Sequence, residues 1–124
     1  MSEVKFLHCE DCGCVVNLLT GDCRPSCCNK PMELLVADTV DAAREKHVPD
    51  VTRDGNKISV VIGSTVHPMV EKHYITLIAA VQGEKIQVVK LHPGEEPRAV
   101  FDIDDGPVEV YEFCNLHGLW KTEA

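Results

Sequence analysis

With 124 residues, 44% hydrophobic and 26% charged, the chain has room for one ordinary domain, or for a very small one followed by a domain of about 90 residues. A formal net charge of −8 excludes a nucleic-acid surface, which needs a basic patch, and leaves an anionic substrate dependent on a local cation to attract it. The longest apolar stretch, Ile75 to Val81, is seven residues against the roughly 18 that span a bilayer, and no apolar segment follows Met1 to Lys5. A cytoplasmic protein with no signal peptide and no membrane contact is therefore expected.

Residues 1–36 hold six of the seven cysteines, all between positions 9 and 28, and few core-forming side chains. An odd cysteine count without an export signal argues for metal ligation over a disulfide framework. A segment this short buries too little apolar area to fold unaided, so a metal is the expected staple. Cys9-x-x-Cys12 puts two thiolates on one turn, Val15 to Leu19 reads as a strand, and Gly21 to Ser26 turns the chain back to Cys27-Cys28. Adjacent side chains in extended backbone point to opposite faces, so both sulfurs reach one ion only if the chain bends sharply there. Iron and zinc accept the same four sulfurs. Cys14 and Cys23 read as free or mutually bridged thiols, and His8 as a solvated neighbour of the site.

Asp41 to Lys46 is the one stretch of helix-forming composition, with Asp41 as its cap and Pro49 as its stop. Beyond it come short β-rich runs: Ile58 to Ile62, Tyr74 to Val81, Ile86 to Leu91, Ala99 to Ile103 and Val108 to Phe113. Asp54-Gly55, Gln82-Gly83, His92-Pro93-Gly94 and Asp105-Gly106-Pro107 separate them as turns. Strands at this spacing, with almost no helix, predict an antiparallel β-sandwich.

His47 follows the lone helical turn, His67 precedes a proline, His73 opens a strand, and Cys114 and His117 share a turn after the last one. All five lie at ends of elements, where rigid β scaffolds present functional groups. His92, in a turn, reads as a surface side chain. Four imidazoles can fill a plane around one ion with the thiolate as a fifth, axial ligand, leaving the position opposite sulfur open. A thiolate there pushes electron density towards whatever binds opposite.

Glu45-Lys46-His47-Val48-Pro49, His67-Pro68-Met69 with His73-Tyr74-Ile75, and Cys114-Asn115-Leu116-His117-Gly118 together resemble the desulfoferrodoxins, the two-iron superoxide reductases, over essentially the whole chain. The resemblance implies an all-β protein with a desulforedoxin-like domain over 1–36 and an immunoglobulin-like catalytic β-sandwich over 37–124. It further implies an Fe(Cys)4 centre on Cys9, Cys12, Cys27 and Cys28, and an Fe(His)4(Cys) centre on His47, His67, His73 and His117 with Cys114 axial. Superoxide is then the substrate, reduced by one electron to hydrogen peroxide, with a rubredoxin-like donor and a homodimer as the expected partners. Lys46 would steer the anion inwards, and Glu45 would cover the open position after product leaves. The segment between Cys12 and the cysteine pair is one residue shorter than the family pattern, and Cys14 and Cys23 are additional. Calcium is neither required nor ruled out.

Two other readings start from the same residues. In a non-enzymatic rubredoxin-like electron carrier the four-sulfur iron alone is functional, and nothing needs an open position or Lys46 beside it. A structural zinc-ribbon protein would be colourless, since zinc has no visible absorption.

Overall fold

The computed structural model describes residues 4–38, 44–63 and 67–124, the side chains of Arg44 and Glu45 excepted. The chain divides into two compact units, Met1–Val36 and Ala37–Ala124.

Among its described residues the first unit contains five short strands, β1 (Phe6–His8), β2 (Val15–Asn17), β3 (Ser26–Cys27), β4 (Lys30–Pro31) and β5 (Glu33–Leu34). They form an antiparallel sheet in the order β2-β1-β5 and a separate β3-β4 hairpin. The strand expected over Val15 to Leu19 stops at Asn17, and Leu19 lies 78% exposed. Leu7, Cys9 and Met32 form its buried cluster, with Val16, Leu18 and Cys27 packed against it. A core this small does not hold a fold by apolar burial alone, which fits the expectation of a metal staple.

In the second unit a single helical turn, α1 (Arg44–His47), leads into β6 (Pro49–Asp54) and β7 (Lys57–Ile62). The strands β8 (Ile75–Gln82), β9 (Lys85–Lys90), β10 (Arg98–Asp102), β11 (Glu109–Cys114) and β12 (Gly118–Glu123) follow. The cap expected at Asp41 lies outside the described residues. The strands make two antiparallel sheets, β10-β7-β6 and β12-β11-β8-β9, the layered all-β architecture that the spacing predicts. Alternation along β7 and β10 turns Ile58, Val60, Ile62, Ala99 and Phe101 inward, against Ile75, Ile78, Ala80 and Val110 of the other sheet. Gly55 and Gly83 hold the positive φ that a two-residue hairpin loop requires, between Asp54 and Lys57 and between Gln82 and Lys85.

The short strands β1, β3, β4 and β5 of the first unit, and two strands of the second, are not evident in the sequence. β6 is an edge strand carrying Asp50, Thr52, Arg53 and Asp54, a composition that does not read as sheet, and Pro49 is tolerated only at its first position. β12 begins at a glycine and ends in charged residues, yet pairs along the whole of β11. Pro49 pairs with Ile62, while Cys114 pairs with both Ile75 and Gly118. The start of β6, the end of β7, the start of β8 and the β11–β12 turn thus meet at one end of the sandwich. Among the described residues no helix is long and apolar enough to cross a membrane.

Candidate metal centres

In the first unit, Cys9, Cys12, Cys27 and Cys28 bring their sulfurs within 4.8 Å of one another. Cys12 Sγ lies 3.4 Å from Cys27 Sγ, which lies 3.8 Å from Cys28 Sγ. Four sulfurs held at about 2.3 Å from one tetrahedral ion stand about 3.8 Å apart, so the spacing fits such an ion. The bend demanded by the adjacent pair is present: Cys28 and Asn29 both take left-handed backbone, with φ of 53° and 63°. That swings the Cys28 side chain to the same side as Cys27, at a conformational cost that a bound ion offsets. Backbone hydrogen bonding at Cys12 pulls the Cys9 thiol down to about 7, so Cys9 becomes a thiolate readily. Crowding by the other thiols, Cys12 first, raises the Cys27 thiol. Cys14 and Cys23 are exposed free thiols outside this group, and His8 is half-buried in β1.

At the end of the sandwich, His47, His67, His73, His117 and Cys114 also bring their ligand atoms within 4.8 Å of one another. Neighbouring rings stand edge to face: His47–His67 and His67–His73 at 4.7 Å, His47–His117 at 4.8 Å and His73–His117 at 4.9 Å, with interplanar angles of 79° to 90°. His47 and His73 are 6.5 Å apart and nearly parallel, which makes them opposite corners of a square. His47 Nε2 lies 3.1 Å from His67 Nε2 and 3.0 Å from His117 Nδ1. Two imidazoles bound at right angles at about 2.1 Å to one ion put their nitrogens about 3.0 Å apart.

The protonation states agree. His67 Nδ1 lies 2.7 Å from the Pro68 carbonyl, to which it donates, so the lone pair of a neutral ring is left on Nε2, facing the centre. Burial, together with the other three rings, pushes His67 down to about 4 and keeps it neutral. Burial also lowers His73, with His117, His47 and Lys46 adding to the effect, and its buried Nε2 has no hydrogen-bond partner among the described residues. Fully buried, the Cys114 thiol is pushed up to about 11, and its Sγ lies 3.9 Å from His117 Nδ1. A square of inward lone pairs, one of them orphaned, backed by a buried thiol is a polar arrangement that only a cation satisfies.

Lys46 is exposed beside His47, close enough for its charge to depress His73, whereas the Glu45 side chain lies outside the described residues. His92 is a surface residue paired with Glu95 at 2.8 Å. Three residues around the square were not singled out from the sequence. Trp120, the single tryptophan, stacks on His47 at 5.2 Å and donates from Nε1 to the His117 carbonyl at 3.0 Å. Asn115 bonds to the backbone on both sides of His73. Glu112 is fully buried with neither carboxyl oxygen partnered among the described residues, and burial raises it well above the usual carboxylate range. A lone Trp three residues past His117 and a Glu inside an apolar strand were the available signals.

Fold and site together define a mononuclear non-haem metalloprotein: a β-sandwich that presents four imidazoles and one thiolate at its end, preceded by a four-thiolate unit. The family model for desulfoferrodoxin matches residues 39–123. The desulfoferrodoxin of Syntrophotalea carbinolica is 47% identical over 123 residues, covering 98% of each chain. The crystal structure of the superoxide reductase from Treponema pallidum superposes with a TM-score of 0.79 at 32% identity, over 98% of this chain and 99% of that one. The superoxide reductase (1Fe-SOR) from Giardia intestinalis aligns with 64% of this chain and 97% of its own, with a TM-score of 0.57 at 33% identity. The chain belongs to the desulfoferrodoxin family.

Proposed function

We propose that this chain is a superoxide reductase, carrying iron on both residue groups. The observation that carries the proposal is the square of four imidazoles backed by one buried thiol. The names of its relatives in Treponema pallidum and Giardia intestinalis agree with it. His47, His67, His73, His117 and the buried Cys114 would hold the catalytic iron. Cys9, Cys12, Cys27 and Cys28 hold the second iron. The Met1–Val36 unit is read as the desulforedoxin-like domain and the Ala37–Ala124 unit as the catalytic domain.

When bound, the iron supplies the single electron that, with two protons, converts superoxide to hydrogen peroxide. The chain's own residues do the rest. His67 keeps its proton on Nδ1, so its Nε2 faces inwards as a ligand. Buried Cys114 must lose its thiol proton on loading and presents its sulfur from the side away from solvent, leaving the other side of the square for substrate. Exposed Lys46 supplies the local cation by which a net-negative protein draws in a small anion. Glu45, two residues before His47, would cover the substrate side between turnovers, a role that the family resemblance implies.

A rubredoxin-like protein is the proposed electron donor and a homodimer the proposed assembly. A cytoplasmic location suits seven cysteines that are all free thiols. Rapid mixing of the reduced protein with superoxide tests the reaction. One hydrogen peroxide per superoxide, no dioxygen, and one-electron oxidation of the site are expected. Release of dioxygen would mean dismutation, and failure to consume superoxide faster than its spontaneous decay would leave only an electron carrier.

A further inference from the structure

Three of the four imidazoles have an anchor of their own. His67 donates from Nδ1 to Pro68 O at 2.7 Å, His47 lies flat against Trp120 at 5.2 Å, and the backbone of His117 accepts from Trp120 Nε1 at 3.0 Å. His73 differs. Its buried Nε2 has no hydrogen-bond partner among the described residues, and it sits in a loop outside the strands, bridged to Val70. Beyond its edge-to-face contacts with the rings of His67 and His117, it is held among the described residues through its backbone. There, His73 N donates to Val70 O at 2.9 Å and Val70 N donates to His73 O at 3.0 Å.

The peptide groups on either side of His73 both go to one residue. Asn115 Oδ1 accepts from Tyr74 N at 3.0 Å, Asn115 Nδ2 donates to Lys72 O at 3.2 Å, and Asn115 N donates to Tyr74 O at 3.2 Å. The register between β8 and β11 shifts between Phe113 and Cys114, where a regular ladder would otherwise set the two chains. The amide therefore continues the pairing past an irregularity, and it does so from the residue that directly follows Cys114.

We propose that Asn115 is the positioning residue that holds His73 in the imidazole square, by clamping the backbone at Lys72 and Tyr74 and so tying that corner to the cysteine. An amide is required because the clamp needs an acceptor for Tyr74 and a donor for Lys72 at once. Aspartate keeps only the first, and alanine keeps neither. The proposal rests on the metal-site reading above and is independent of which substrate the site takes.

The test uses the full chain loaded with iron and follows its loss to a ferrous chelator, the two centres being told apart by their visible spectra. Residues that orient ligands typically change metal affinity by about 10- to 100-fold. Asn115→Ala should therefore release iron from the histidine site about 10-fold faster or more and alter the ferric electron paramagnetic resonance signal of that site, with the four-sulfur spectrum unchanged. Asn115→Asp should fall between it and the parent, and Leu116→Ala, an exposed neighbour, should match the parent. Release within about two-fold of the parent, with an unaltered resonance signal, overturns the proposal. So does a variant whose metal-free melting temperature falls while iron retention and signal stay as they were, since that is a purely structural role. If Asn115→Ala does not fold, Asn115→Asp decides by the same criteria. A parent chain that retains no metal at the histidines would sink the metal-site reading itself, an outcome distinct from any difference between variants.

Discussion

Lys46 and Cys114 lie on opposite sides of the electrostatic problem. The protein carries a net charge of −8, so a superoxide anion approaches against the average field, and Lys46 is a cation close enough to the square for its charge to reach His73. Focused charge at a cleft changes association rates by about ten-fold or more, an effect that salt screens. Lys46→Ala should slow the bimolecular reaction with superoxide by about ten-fold and flatten its ionic-strength dependence, while Lys46→Arg keeps most of both. Pulse radiolysis across a salt series measures this, and an unchanged rate and slope would remove the steering role. Cys114 is buried and its thiol is held up at about 11, so only a bound cation makes it a thiolate near neutral pH. Cys114→Ser puts a far weaker acid at that place. Loss of the sulfur-to-iron absorption and of most reductase activity is expected, and retention of both would exclude Cys114 as a ligand.

Among the elements, the turn joining β11 to β12 does most to build the catalytic site. In five residues it delivers the proposed thiolate ligand Cys114, the proposed clamp Asn115, the corner His117, and Gly118, which pairs back to Cys114. Gly118 has φ of 83°, a conformation that costs an L-residue about 1–2 kcal/mol. Gly118→Ala should lower stability by about that amount, and because His117 immediately precedes it, weaken iron retention as well. Thermal melts and chelator challenge read the two effects; a melting temperature and iron retention equal to the parent would show that the turn tolerates the change. Trp120 adds a second tie two residues further along, fixing His47 by stacking and His117 by a hydrogen bond. In the sequence the motif from Cys114 to His117 was legible as ligands, whereas Asn115, inside the same motif, was not legible as a clamp. Its partners Lys72 and Tyr74 are more than forty positions away, and only tertiary pairing brings them near.

The molecule as a whole is two units of very unequal core. The sandwich has a continuous buried cluster drawn from both sheets, while the first unit has Leu7, Cys9 and Met32. Structural metal in so small a unit contributes directly to its folding free energy. Cys28→Ser should therefore empty the four-sulfur site and leave the Met1–Val36 unit open to proteolysis. Superoxide reduction fed by an external donor should continue, because the proposed catalytic ligands all lie in the other unit. Iron per chain, limited proteolysis and turnover measure the three effects, and a collapse of turnover would make the first centre an obligatory relay.

Residue chemistry and spacing by themselves determined which side chains bear the chemistry. Cys9-x-x-Cys12, Cys27-Cys28 and the four histidines with Cys114 are local facts, and so is the rhythm of apolar runs and turns that makes the protein all-β. Tertiary structure alone decided their relation. Left-handed backbone at Cys28 and Asn29 lets adjacent sulfurs face one point, and the strand register brings distant loop ends to one end of the sandwich. It also decided the edge strand β6, the closing strand β12 and the partnerless carboxyl of Glu112. The physical reason is range: donor type is a property of each residue, whereas angle, burial and clamping arise from contacts between segments that chain order does not connect.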